Sequence, residues 1–231
     1  MNSAIATTTS RVGILASLSL SWSRLGLASA LPAAFSISSF SSSSSSSPPA
    51  SVQARLFEVL FRDDGSVLKD EAFGFSTRSL DLAADELGLS RAVAGAIRPA
   101  ELVHEFNRLK LVELKERLAG LGEPATMHEG LVRGVGERLA ILEGYRATWA
   151  GAMAALADVH ELQPTLDHVE KLTSAVLRYA GDLPAVDMSW YSKRLLLGGI
   201  LGAAEVQLAS GDGEVEEIVD WADRSLRKVL V

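Results

Sequence analysis

Residues 75–97 read FSTRSLDLAADELGLSRAVAGAI, and how this stretch folds decides the architecture of the rest. Leu80, Ala83, Ala84 and Leu87 recur at helical spacing and form a narrow apolar stripe. Gly88 suits a left-handed C-cap, and the Ser90 hydroxyl suits the start of a second, short helix. A helix, a glycine-containing turn and another helix is the layout of a helix-turn-helix. β-branched alternation is scarce throughout, so the stretch belongs to an all-α chain.

Working outward, an opening helix over about residues 52–61 carries Leu56, Phe57, Leu60 and Phe61 and ends at the turn RDDGS. Pro99 fits the first position of a helix that runs to about Ala119 and stops at Gly120. Thr126 and Glu129 have capping-box spacing ahead of Leu131, Val135, Leu139 and Leu142. Trp149, Met153 and Leu156 mark the next helix. Leu166, Val169, Leu172 and Val176 mark another, stopped by Gly181. Asp187 is the expected N-cap of a helix starting near Trp190 and running through LLLGGILGAAEVQLA. That segment is apolar nearly all round, which predicts the most buried element of the fold. Gly198, Gly199 and Gly202 lower its helix propensity, and close approach of a neighbouring helix or a ligand is the expected compensation. Val215, Ile218, Trp221 and Val229 mark a last helix, giving eight or nine in all.

The first 50 residues are of another kind. Arg11 and Arg24 are their only charges, amid Ser, Thr, Ala and Leu, and the stretch closes with a serine run and two prolines. An acid-free, Ser-rich, sparsely basic leader reads as an organelle transit peptide. The rival is a secretory signal built on VGILASLSL; Arg24 and the lack of a nearby small-residue cleavage site weigh against it. The serine run is expected to be a disordered spacer. The chain as a whole carries −7; without the leader's two arginines the remaining domain of about 180 residues carries −9. No run of about 20 apolar residues is available to span a bilayer. Cysteine is absent, so neither disulfides nor thiolate metal sites are possible.

Catalytic signatures are lacking. His104, His128, His160 and His168 include no pair at i, i+4, and Glu101 with His104 makes a single E-x-x-H where di-iron bundles use two. GFSTR at Gly74 lacks the second glycine of a nucleophile elbow, and GVGERL at Gly134 lacks the third of a dinucleotide loop. Neither metal nor cofactor is implied. A DNA-binding regulator remains the alternative function, but the candidate recognition helix offers only Arg91 and Arg98 on an acidic domain, a field that repels phosphate.

Residues 180–194, AGDLPAVDMSWYSKR, place Trp190 and Tyr191 between an acidic Gly/Pro loop and the cations Lys193 and Arg194. The pair either opens a helix into the core or presents an aromatic patch. With Tyr179 in front, and with AEV at Ala204–Val206 downstream, this stretch resembles the mitochondrial ubiquinone-biosynthesis accessory proteins, the ninth in the coenzyme Q series. Their pattern is A-G-D, a short loop, an Asp, then W-Y-[ST]-[KR]-R opening a long helix. Arg138, Leu139, Leu142 and Trp149 recur at the family's spacing, and LGLSRAVAGAI with ELVHEF matches its N-terminal half. The resemblance covers about residues 54–228 and is strongest over 179–194.

The resemblance implies a fold like that of the TetR-type regulators: a transit peptide and spacer over residues 1–50, a degenerate helix-turn-helix over 51–98, and a helical ligand-binding domain over 99–231. It implies a non-enzymatic carrier that binds an isoprenoid quinone intermediate or a phospholipid and presents it to the di-iron demethoxyubiquinone hydroxylase. Location would be mitochondrial, peripheral on the matrix side of the inner membrane, with no nucleic-acid partner; a homodimer follows from fold analogy. Trp190 and Tyr191 would form the docking patch, preceded by Asp187, with Lys193 and Arg194 orienting an acidic partner or a phospholipid head. The family's pattern continues into a C-terminal amphipathic helix that rests on the membrane, whereas this sequence reaches Val231 with the short RSLRKVLV, so weaker membrane contact is expected. Burying a prenyl tail gains ~0.8 kcal/mol per CH₂ from water but little from a bilayer, whose tails are equally apolar. A carrier therefore has to win by shape and by contacts to the ring. Leu166, Leu172, Val176, Leu195, Leu197, Ile200, Leu201 and Leu208 are the expected lining.

Overall fold

The computed structural model describes residues 50–182, 188–211 and 213–229. Residues 1–49, which hold the whole serine run, and Asp187 lie outside them. Among the described residues there is no strand, and the chain is all-α. The helices are α1 (Ala50–Phe61), α2 (Ser66–Lys69), α3 (Thr77–Glu86), α4 (Arg91–Ala94), α5 (Pro99–Gly120), α6 (Met127–Glu143), α7 (Arg146–Leu156), α8 (Leu162–Tyr179), α9 (Met188–Ser210) and α10 (Val215–Val229). Two short 3₁₀ turns, Arg62–Gly65 and Val159–Glu161, lead into α2 and α8.

Local chemistry sets the boundaries. Ser76 and Ser90 accept the backbone N–H of Arg78 and Ala92 and so cap α3 and α4. Thr126 accepts from the Glu129 N–H at 3.1 Å, while the Glu129 carboxylate reaches back to the Ala125 N–H at 2.9 Å, one residue before the partner of an ideal capping box. Gly88, with φ of 65°, makes the turn between α3 and α4. The helix-turn-helix layout is present, but its second helix is a single turn. Arg91 on that turn pairs with Asp85 at 2.7 Å, and Arg98 pairs with Glu101 at 3.1 Å and with Glu161. Both cations that a duplex would need are neutralised from within.

The sequence does not anticipate α2. Asp63, Asp64 and Gly65 all take left-handed φ, near 51°, 56° and 65°, and reverse the chain into this extra turn of helix. Tyr145 locks the reversal, its phenol donating to the Asp64 carbonyl at 2.9 Å. Burial pushes the Tyr145 hydroxyl up to about 12, with the Asp64 carboxylate adding to the shift.

Regions on either side of residue 98 share one core. Its centre is aromatic: Phe106 of α5 lies 5.0 Å from Phe75, 4.7 Å from Tyr145 and 5.7 Å from Trp149 between ring centroids. Edge-on pairs of this kind add about 0.5–1.5 kcal/mol each beyond area burial. On the other side, α6 packs against α8 so closely that a Cβ at Gly134 would stand 2.5 Å from the Val176 side chain, and one at Gly130 would stand 2.6 Å from the Ala180 backbone. Ile218, Ala222 and Leu226 form the buried stripe of α10, which lies on α6; His128 and Asp223 join the two at 2.6 Å. No helix among the described residues is long and apolar enough to cross a membrane.

Helix α9 departs from expectation. Leu197, Ile200, Leu201, Ala204 and Leu208 are buried, but Tyr191, Leu195 and Leu196 are exposed, so α9 is not the most buried element. Apolar residues all round a helix can be read as full burial only if both sides are covered, and here one side is not. Only Gly198 has the expected close neighbour, Val169, 2.9 Å from a Cβ placed there; Gly199 and Gly202 face open space.

Candidate functional site

Two arrangements in the C-terminal half have chemistry to offer, one on the outside of α8 and α9 and one inside the bundle. The outer one starts where α8 ends. Gly181 takes φ of 83°, and the Asp182 N–H returns to the Leu177 carbonyl at 2.9 Å, closing the helix in a left-handed cap. Lys193 then reaches Asp182 at 2.6 Å, and Arg194 donates to the Ser174 hydroxyl at 3.0 Å. With Gly198 seated against Val169, these pairings run antiparallel and fix α9 against α8.

Alongside these pairings runs an outward apolar stripe. Tyr191 and Leu195 are each 67% exposed and one turn apart, with Leu196 beside them. Gly199 and Gly202 continue the stripe as a flat track. On α8, Leu162 and Leu166 are also exposed. Single exposed leucines need no explanation; here Tyr191, Leu195 and Leu196 are exposed within about one and a half turns of α9. Sequence reasoning groups Trp190, Tyr191, Lys193 and Arg194 as a docking set. Tyr191 is on the exposed stripe, whereas Lys193 and Arg194 hold its base in place through Asp182 and Ser174. The side chain of Trp190, like Asp187, lies outside the described residues.

The expected lipid lining divides in two. Leu172, Val176, Leu197, Ile200, Leu201 and Leu208 are buried and belong to the common core, while Leu166 and Leu195 sit on the outside. A large open groove, about 880 Å³, lies between α1 and α5, over Phe57, Phe61, His104 and Leu109.

The inner arrangement centres on Arg138, which is 1% exposed. Its Nε donates to Glu205 of α9 at 2.9 Å and its Nη2 to Asn107 of α5 at 3.0 Å. Trp149 Nε1 donates to the other Glu205 oxygen at 3.2 Å, and the guanidinium lies 5.7 Å from the Trp149 ring. Breaking a buried ion pair of this kind by removing one partner costs about 3–5 kcal/mol. His168 of α8 is driven down to about 3, first by burial and then by the positive charge of Arg138. It is neutral at physiological pH. Further out, buried Glu161 accepts from Arg98 and pairs with His104 at 2.8 Å. Sequence reasoning singles out Arg138 and Trp149 by spacing without giving them a role; the signal was a cation at a core position, between Val135 and Leu139 on the buried stripe. Among the described residues no three His, Asp or Glu side chains converge as a metal site.

Residues 162–230, which span α8, α9 and nearly all of α10, match the COQ9 family model. The COQ9 match thus covers the exposed stripe and the α8 and α9 sides of the polar interior. The chain is similar to the ubiquinone biosynthesis protein COQ9, mitochondrial, of Drosophila melanogaster, with 30% identity over 140 residues, 58% of this chain and 43% of the relative. The Homo sapiens protein of the same name is 28% identical over 145 residues, 58% of this chain and 45% of that one. For Rattus norvegicus the figures are 29% over 168 residues, 68% and 54%. The chain spans about half the length of the curated relatives it matches.

Proposed function

We propose that the chain is a mitochondrial, non-enzymatic accessory protein of ubiquinone biosynthesis, which binds an isoprenoid quinone intermediate and presents it to the di-iron demethoxyubiquinone hydroxylase. The observation that carries this reading is the stripe of Tyr191, Leu195 and Leu196, exposed on a helix inside the segment that matches the COQ9 family model and pinned by Lys193 and Arg194. Aromatic and arginine side chains at the centre of a pre-organised face are what binding hot spots are built from. A face already held in place loses little conformational entropy on docking. The names of the relatives place them in ubiquinone biosynthesis and in mitochondria, and the leader with Arg11 and Arg24 suits the same destination.

The test is association of the full chain with the hydroxylase, measured alongside ubiquinone content in cells that depend on this chain. Tyr191→Ala with Leu195→Ala should weaken association roughly 30-fold or more, the equivalent of about 2 kcal/mol at a hot spot, and lower ubiquinone. Unchanged association and unchanged ubiquinone would remove the docking role from α9.

A further inference from the structure

We infer that residues 62–67 form a strained lid over a small inner pocket, held shut by Tyr145 and able to open while the rest of the fold stays packed. Three consecutive residues inside it, Asp63, Asp64 and Gly65, take left-handed φ. Residues other than glycine adopt that region at a cost and keep it where their surroundings enforce it. Here the enforcing contacts come from outside the segment. The Tyr145 phenol donates to the Asp64 carbonyl at 2.9 Å, Lys69 pairs with the Asp64 carboxylate at 2.6 Å, and Lys110 approaches it at 3.7 Å.

The segment is anchored at both ends and gives the core little in between. Leu60 and Leu68 on either side are fully buried, and the Leu68 carbonyl accepts from the Thr148 hydroxyl at 2.7 Å. Between them Arg62, Asp63, Asp64 and Ser66 are exposed, Val67 is half-buried, and buried Gly65 has no side chain. Arg62 pairs with Glu86 at 2.6 Å, an exposed contact of the kind that contributes little. Opening therefore uncovers little apolar surface and relieves backbone strain, the combination that lets a segment open locally. Beneath it lies a pocket of about 110 Å³, with Asp64 and Gly65 on the lid side and Phe106, Lys110 and Tyr145 opposite. Phe61 and Leu109 line both this pocket and the open groove between α1 and α5. With the lid raised, the groove would run on past these two side chains to the Tyr145 hydroxyl. The closest cover is Gly65: a Cβ there would stand 2.9 Å from the Tyr145 oxygen and 3.5 Å from its Cε1, the ring carbon next to the hydroxyl. The inference is independent of the docking role of α9.

Tetranitromethane nitrates tyrosine at that carbon, and mass spectrometry of the treated full chain reads each tyrosine separately. Tyr191, 67% exposed, should react fast, and Tyr145, 3% exposed, more slowly. The Tyr145 rate should be unchanged by urea below the unfolding transition, because a local opening exposes little surface. Asp63→Gly removes the cost of a left-handed residue and should slow Tyr145 nitration about threefold. Asp64→Asn keeps a residue that tolerates left-handed φ but loses both lysine pairs, and should speed nitration about threefold. A Tyr145 rate that climbs with urea in step with global unfolding would overturn the lid, since the ring would then be reached only in the unfolded chain. Nitration of Tyr145 as fast as Tyr191 would overturn it too, because nothing would be shut. A urea-independent rate that neither substitution moves would put the opening elsewhere in the fold and remove it from residues 62–67.

Discussion

The helix-turn-helix region and the α8–α9 hairpin have opposite characters. Around α3, α4 and the head of α5, the cations answer to neighbouring carboxylates: Arg62 to Glu86, Arg91 to Asp85, Arg98 to Glu101 and Glu161. The apolar side chains there feed the aromatic centre of Phe75, Phe106, Tyr145 and Trp149. In α8 and α9, apolar groups stand in solvent and polar groups stand in the interior without partners. In the helix-turn-helix layout the cations are paired within the fold, whereas the exposed apolar stripe lies on α9.

The comparison breaks most readily at the aromatic centre. Trp149→Ala removes the ring that packs on Phe75 and Phe106 and the donor to Glu205. A loss of about 3–5 kcal/mol is expected, read as a fall in the urea midpoint. Leu195→Ala, 67% exposed, should change stability by no more than about 0.5 kcal/mol. Comparable losses at the two positions would mean that the outer stripe is buried in solution, by a second copy for instance, and the contrast would fail.

A smaller effect distinguishes the polar interior from the surface ion pairs. His168 titrates near 6.5 in the unfolded chain and near 3 when folded, because burial and Arg138 disfavour its charged form, with His104 and Lys171 adding to it. The unfolded chain therefore binds the extra proton between these values, and stability falls as pH drops from about 6.5 towards 3. Moving from pH 7 to pH 5 should cost about 2 kcal/mol through this group alone. His168→Phe should lose that much less over the same interval in urea titrations. Parallel pH dependence in the two proteins would place His168 in contact with water.

Much of the fold was legible because its boundaries rest on local chemistry. Pro99, Gly88, Ser90, Thr126 and Gly181 each do at a helix end what their side chains or φ permit, and no tertiary information is needed to see it. The extra helix α2 was not legible. Its reversal depends on Tyr145, 81 residues from the Asp64 carbonyl it binds. The exposure of α9 was hidden for a related reason: apolar periodicity reports which side chains avoid water in some context, and a partner-facing stripe looks like a core-facing one. Asp187 and the Trp190 side chain lie outside the described residues, while Tyr191 lies on the exposed face. The Arg138 side chain of α6 meets Glu205 of α9 and Asn107 of α5, a meeting that spacing along one helix does not encode.

Glycines give the finest test, because sequence treats them alike and the structure does not. Gly134 lies in the middle of α6, and a Cβ there would meet Val176 at 2.5 Å. Gly199 lies in the middle of α9 with nothing within 4 Å. Replacing a helix-interior glycine by alanine gains about 1 kcal/mol in propensity when the new methyl has room. Gly199→Ala should therefore raise stability by about that amount. At Gly134 the same gain is outweighed, since forcing an added carbon into a packed contact costs typically about 1–3 kcal/mol, and Gly134→Ala should lower stability. Opposite signs for two chemically identical substitutions would set apart a face built to pack within the fold from a face left open. If both raised stability, α6 and α8 would be able to separate, and the close crossing that holds the Arg138 interior between them would be looser than its geometry indicates.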